Sequence, residues 1–171
     1  MQKTTLISVW YELYSDELYS FLLYRVGEAD VEDLLQEVFI RAYKGLDFFN
    51  GDANPKTWLY SIARNISIDE IRKRQRQKWK SIIPFETNHE PKTERTPEHE
   101  LELDEEKQVV YQAIQSLKPA FRDVLILRGI KELSVIETTD VLNWTENKVR
   151  STYHRAKQSL AQEIGGDPRE Q

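Results

Sequence analysis

Residues 57–74 read TWLYSIARNISIDEIRKR, and their spacing sets the fold class of the whole chain. Leu59, Ile62, Ala63, Ile66 and Glu70 recur at steps of three and four, which places them on one face of an α-helix. Asn65, Asp69, Arg72 and Arg76 stand at i, i+4, i+7 and i+11 and make a separate polar face. The predicted helix covers about residues 56–78. Just before it, GLDFFNGDANP (residues 45–55) gathers Asn50, Gly51, Asp52, Asn54 and Pro55 around two adjacent phenylalanines and reads as a loop.

Working outward, residues 29–44 put Val31, Leu34, Leu35, Val38 and Ala42 on one helix face. Asp33, Gln36, Glu37, Ile40 and Lys44 fall on the opposite face, where an isoleucine sits among carboxylates. Leu6, Val9, Trp10 and Leu13, then Leu18, Phe21, Leu22 and Arg25, predict one helix or two abutting pieces, with Gly27 as the stop. On the other side, residues 81–100 lose all periodicity. Pro84, Pro91 and Pro97 interrupt them and acids dominate, so they read as a flexible acidic linker.

Four helical segments follow. Leu103, Lys107, Val110, Ala113, Ile114 and Leu117 mark the first. Pro119 suits the first turn of the second, which runs through Phe121, Val124, Leu125 and Arg128 to Gly129. Ser134 and Glu137 have the capping-box spacing that opens a third helix. Asn143 ends it, able to take the left-handed conformation of a sharp turn. Thr145 caps the fourth, predicted to about Ile164. The chain is expected to be all α: a helical domain over residues 1–80, a linker over 81–102, a helix-turn-helix domain over 103–164 and a disordered tail over 165–171.

Composition narrows the function. The 171 residues contain no cysteine and three histidines, which excludes disulfides and thiolate metal sites. No acid–base pair, nucleophile or metal cluster is arranged anywhere, so neither enzyme, cofactor nor small-molecule substrate is expected. Residues 1–18 do not form a signal peptide, and no stretch approaches the ~18 apolar residues of a membrane span, so no membrane insertion is expected. The formal charge is −5, yet it is unevenly spread. Acids crowd residues 28–37 and 86–106; bases crowd residues 64–80 and 148–157. Local fields decide which surface meets an anion, so this pattern suits one protein partner and one polyanion.

Three faces follow from that distribution. Two short helices joined by a tight turn, the second rich in Lys and Arg, make a helix-turn-helix pattern. Arg150, Ser151, His154 and Arg155 share its outward face, while Val149, Tyr153 and Ala156 face the core. Lys148 lies in the first turn, where the helix dipole disfavours a cation, so a nearby phosphate would explain it. The run over residues 64–80 is flanked by Trp58, Tyr60 and Trp79, and aromatics beside cations suit unstacked bases. Each face read alone also fits a solvated surface or a plain core. A regulator that binds duplex DNA by itself, and a helical adaptor, both stay open at this level.

EDLLQEVFIRAYKGL (residues 32–46) followed by TWLYSIARNISIDEIRKR resembles region two of the extracytoplasmic-function sigma factors of the sigma-70 family. SLKPAFRDVLILRGIKELSVIETTDVLNWTENKVRSTYHRAK (residues 116–157) resembles their region four. The resemblance implies a bacterial, cytoplasmic sigma factor that binds core RNA polymerase and directs promoter recognition, promoter opening and transcription initiation. It implies docking on the clamp helices of the largest polymerase subunit through Asp33, Gln36, Glu37 and Ile40, supported by Leu34, Leu35 and Phe39. It implies a reader of the minus-ten element made of Phe49, Asn50, Lys56, Trp58, Asn65, Asp69, Arg72 and Arg76. The reader of the minus-thirty-five element would be Lys148, Arg150, Ser151, His154 and Arg155. An anti-sigma factor as a further partner is implied as well. The sequence departs from the family pattern at Asn143 for a glycine, Thr138-Thr139 for isoleucine-alanine, and Asn147-Lys148 for glycine-threonine, so the promoter letters do not carry over.

Overall fold

The computed structural model describes residues 2–81 and 104–165, and the expected linker and tail lie almost wholly outside them. Within these, the elements are α1 (Lys3–Val26), α2 (Val31–Gly45), a short 3₁₀ turn (Leu46–Phe48), α3 (Pro55–Ser81), α4 (Glu105–Gln115), α5 (Pro119–Val124), a π turn (Leu125–Ile130), α6 (Val135–Leu142) and α7 (Glu146–Gly165). No strand occurs among the described residues, so the protein is all α as its periodicity predicts. The chain divides into two compact units. One holds the residues up to Phe49 with those from Ile62 onward on α3; the other holds Asn50–Ser61 with the C-terminal helices.

In the first unit α1 packs on α2. Leu18, Phe21 and Leu22 from α1 are fully buried, as are Val31, Val38 and Ala42 from α2 and Ala63 from α3. Burying the larger of these side chains yields roughly 1.5–3 kcal/mol each and supplies most of what offsets chain ordering. The N-terminal half of α1 is different. Of its expected apolar row only Trp10 is buried; Val9 and Leu13 are exposed, so periodicity there marks the helix and not a core. Gly27 ends α1 at φ 82°, a left-handed backbone that glycine takes without strain, and its N–H donates to Leu23 O at 2.9 Å.

Arg25 and Arg74 fix this unit in ways that charge counting does not reveal. The Arg25 guanidinium is buried and its Nε donates to Ser67 Oγ at 3.0 Å. Arg74, inside the basic run, donates to Val26 O and, at 2.9 Å, to Ala29 O, while its Nε lies 3.0 Å from Glu70 Oε1. It therefore satisfies carbonyls at the end of α1 and in the turn into α2, groups that a helix terminus leaves without partners.

In the second unit the core is Ile114, Val124, Ile126, Leu127, Leu133, Val149 and Ala156. The second predicted segment does not stay α-helical to Gly129. After Val124 it widens into the π turn, which Lys131 N–H closes on Ile126 O at 2.8 Å. Ser134 and Glu137 form both bonds of the capping box, at 3.0 and 2.9 Å. Asn143 caps α6 at φ 57°, ψ 42°. Lys148 N–H donates to Thr145 Oγ1 at 3.2 Å, which caps α7.

Candidate functional site

The outward face of α2 carries the first candidate group. Asp33 and Gln36 are exposed, Glu37 is half-buried, and Ile40 keeps 46% of its surface open. Behind them Leu35, Val38 and Phe39 are buried, and Tyr11 stacks edge-on against Phe39 at 5.0 Å. The α2 helix therefore carries an exposed acidic row with one exposed apolar side chain, backed by buried ones. Arg41 borders it, with Nε 3.2 Å from Glu37 Oε1 and Nη1 3.5 Å from Asp69 Oδ2. Through Arg41, the acidic face of α2 and the polar face of α3 meet.

On α3, Asn65, Asp69, Arg72 and Arg76 are all exposed on one side, as their spacing predicts. The other candidates of the loop and first turns have more varied surroundings. Phe49 packs edge-to-face on Trp10, 5.3 Å between ring centres, and is half-buried; its neighbour Phe48 is 91% exposed. The presented ring is thus Phe48, and sequence alone could not say which of two adjacent phenylalanines turns inward. Asn50 accepts a bond from Asp52 N–H at 3.1 Å and shapes the loop. Lys56 Nζ lies 3.4 Å from Glu137 Oε2, and Trp58 is half-buried. Among the aromatics, Tyr60 belongs to the core and Trp79 is 71% exposed.

The Glu137 carboxyl is held below the ordinary carboxylate range, chiefly by the bond it accepts from Ser134 N–H and also by Lys56, against an opposing effect of burial.

In the helix-turn-helix, Lys148, Arg150, Ser151, His154 and Arg155 are all exposed on α7. Val149, Thr152 and Ala156 form its buried stripe. Tyr153 is half-buried between two cations, the Arg128 guanidinium 5.3 Å and the Lys157 ammonium 4.6 Å from its ring centre. Lys148 has an internal reason to sit in the first turn: its ammonium stands 4.4 Å over the Trp144 ring. Arg150 pairs with Glu146 at 3.2 Å, one turn back.

Comparison with known proteins adds relatives to this geometry. The Sigma-70 region 2 family matches residues 10–77, and the Sigma-70 region 4 family matches residues 107–160. The chain is 37% identical over 153 residues to the ECF RNA polymerase sigma factor SigX of Bacillus subtilis, an alignment covering 88% of this chain and 79% of that protein. It is 31% identical over 157 residues to the ECF RNA polymerase sigma-E factor of Escherichia coli, with 88% and 82% covered. Two solved structures share its fold. They are the sigma factor RpoE in complex with the anti-sigma factor NepR from Bartonella quintana (TM-score 0.70, 24% identity, 92% of this chain and 95% of that one) and CnrH in complex with the cytosolic domain of CnrY (TM-score 0.71, 21% identity, 96% and 90%).

Proposed function

This chain belongs to the extracytoplasmic-function sigma factors of the sigma-70 family and acts in promoter recognition and transcription initiation, and from that premise we propose which of its residues do the work. Asp33, Gln36, Glu37 and Ile40 dock on the clamp helices of core RNA polymerase. The observation that carries this is an exposed Ile40 in an acidic row, backed by the buried Leu35, Val38 and Phe39. Side chains held by a packed helix lose little freedom on binding, which favours a stable interface.

In the first unit Asn65, Asp69, Arg72 and Arg76, with Phe49 and the more exposed Phe48 as candidate stacking rings, receive the opened minus-ten strand; in the second unit Asn50, Lys56 and Trp58 are the candidates for contact with it. Holding an extruded base costs a few kcal/mol of unstacking, which a pocket and stacked rings return. Arg74 is excluded from that surface, because its guanidinium serves the α1–α2 turn. Helix α7 enters the major groove at the minus-thirty-five element through Arg150, Ser151, His154 and Arg155, with cations along phosphates. Two tethered readers raise each other's local concentration at a promoter. Promoter opening thus draws on binding energy, and the chain itself performs no covalent chemistry; polymerase does.

The solved relatives are each held by a protein partner, NepR or CnrY. An anti-sigma factor is accordingly the regulator we assign to this chain, which works beside polymerase in the bacterial cytoplasm. No described helix is long and apolar enough to cross a membrane. Run-off transcription with core polymerase over a promoter library tests the proposal. Promoter-specific transcripts should appear only when chain and core are both present. Transcription indifferent to the chain would overturn it.

A further inference from the structure

Helix α7 divides its side chains into three sets, and in the outermost of them Asn147 and Gln158 have no assigned task. Val149, Thr152 and Ala156 are buried. On one flank Lys148 is drawn back over Trp144, and on the other Arg150 pairs with Glu146 while Lys157 lies over Tyr153. Opposite the buried stripe run Asn147, Ser151, His154 and Gln158, at steps of four, three and four, all exposed. Every member of that central row is polar and none is Lys or Arg.

A helix laid in the major groove turns its N-terminal residues to base edges while its flanks follow the two phosphate walls. The cation–ring and ion-pair contacts hold the positive charges at those flanks, so the centre keeps neutral donors and acceptors. Within it, His154 and Gln158 lie 3.4 Å apart and face each other, and Ser151 Oγ is directed back toward Lys148 O at 3.5 Å. Asn147 is the row's first member, in the opening turn, and the capping role there belongs to Thr145. A carboxamide offers one donor group and one acceptor side by side, the pattern that matches N7 and N6 of adenine.

We propose that Asn147 is a specificity-determining residue that reads an adenine in the minus-thirty-five duplex, with Trp144 positioning Lys148 on the neighbouring phosphate instead of on the base. This rests on the reading of α7 as the duplex reader.

The test uses holoenzyme reconstituted from the full chain and core polymerase, with duplexes in which each minus-thirty-five base pair is changed singly. The wild type should lose roughly ten- to hundredfold in affinity when one A·T pair is replaced. Asn147→Ala should flatten the response at that pair and leave the other pairs unchanged. Asn147→Asp, which keeps a favourable first-turn residue, should turn the preference from adenine toward cytosine, because a carboxylate only accepts. Lys148→Ala and Trp144→Leu should weaken all duplexes alike. Survival of the adenine preference in Asn147→Ala, or equal loss at every pair, overturns the role of Asn147. A wild type indifferent to every minus-thirty-five base would instead overturn the reading of α7 itself.

Discussion

Replacing Arg74 with Met separates structure from function inside the basic run of α3. Methionine keeps the apolar stem and removes the guanidinium, and with it the bonds to Val26 O and Ala29 O and the pairing with Glu70. Hydrogen bonds from a charged group contribute about 1.5–3 kcal/mol each when water is excluded. The Arg74 side chain is 33% exposed, so water replaces part of what is lost, and the i,i+4 pair with Glu70 adds only about 0.3–0.5 kcal/mol. Together these give a loss of about 2 kcal/mol. For a unit of this size each kcal/mol moves the melting point by about 4–8 °C, so Arg74→Met should melt about 8–16 °C below wild type. Circular dichroism melts of the full chain, alongside Arg72→Met and Arg76→Met, make the comparison. Those two exposed residues should leave the melt within about 2–4 °C while weakening minus-ten strand binding. If Arg74→Met melts with the wild type, or if Arg72→Met falls as far, the assignment of Arg74 to the α1–α2 turn is wrong.

Two further outcomes are expected. Arg155→Ala should lower affinity for a minus-thirty-five duplex, reduce the steepness of the salt dependence by about one counterion, and leave polymerase affinity unchanged; titrations at several salt concentrations check this. The depressed Glu137 carboxyl stabilises the fold when ionised, so its contribution is present above its ordinary titration range and is lost as pH falls through its lowered pKa. Glu137→Gln should therefore melt below wild type near neutrality and converge with it as pH falls below the ordinary carboxylate range, read from melts at a series of pH values.

Much of the architecture was legible because it rests on short-range rules. The three- and four-residue spacing of Leu59, Ala63 and Ile66 fixes a helix and its inner face together, and all three are buried. The capping box at Ser134–Glu137 and the left-handed Asn143 are local chemistry, and both formed as their spacing predicts. What escaped depends on long-range contact. Arg74 looked like one more surface cation until Val26 O and Ala29 O, about 45 residues away in sequence, were seen to meet it. Phe48 and Phe49 differ only in which one finds Trp10. The exposed start of α1 and the π turn after Val124 likewise follow from packing, since the apolar spacing of either would equally suit an ordinary buried helix. Asn147 was visible only as a departure from a pattern; its place at the centre of a neutral row, between flanking cations, is a fact of the folded helix.

The acidic face of α2 is the surface proposed to grip core RNA polymerase. Gel filtration of the chain with core RNA polymerase, in moderate salt and without DNA, measures that directly. Wild type should co-elute with the core enzyme, whereas Asp33→Arg, which alters an exposed residue and should melt as wild type does, should elute alone. Wild type that ignores the core enzyme, or an Asp33→Arg variant that still travels with it, would contradict the docking surface on which the rest depends.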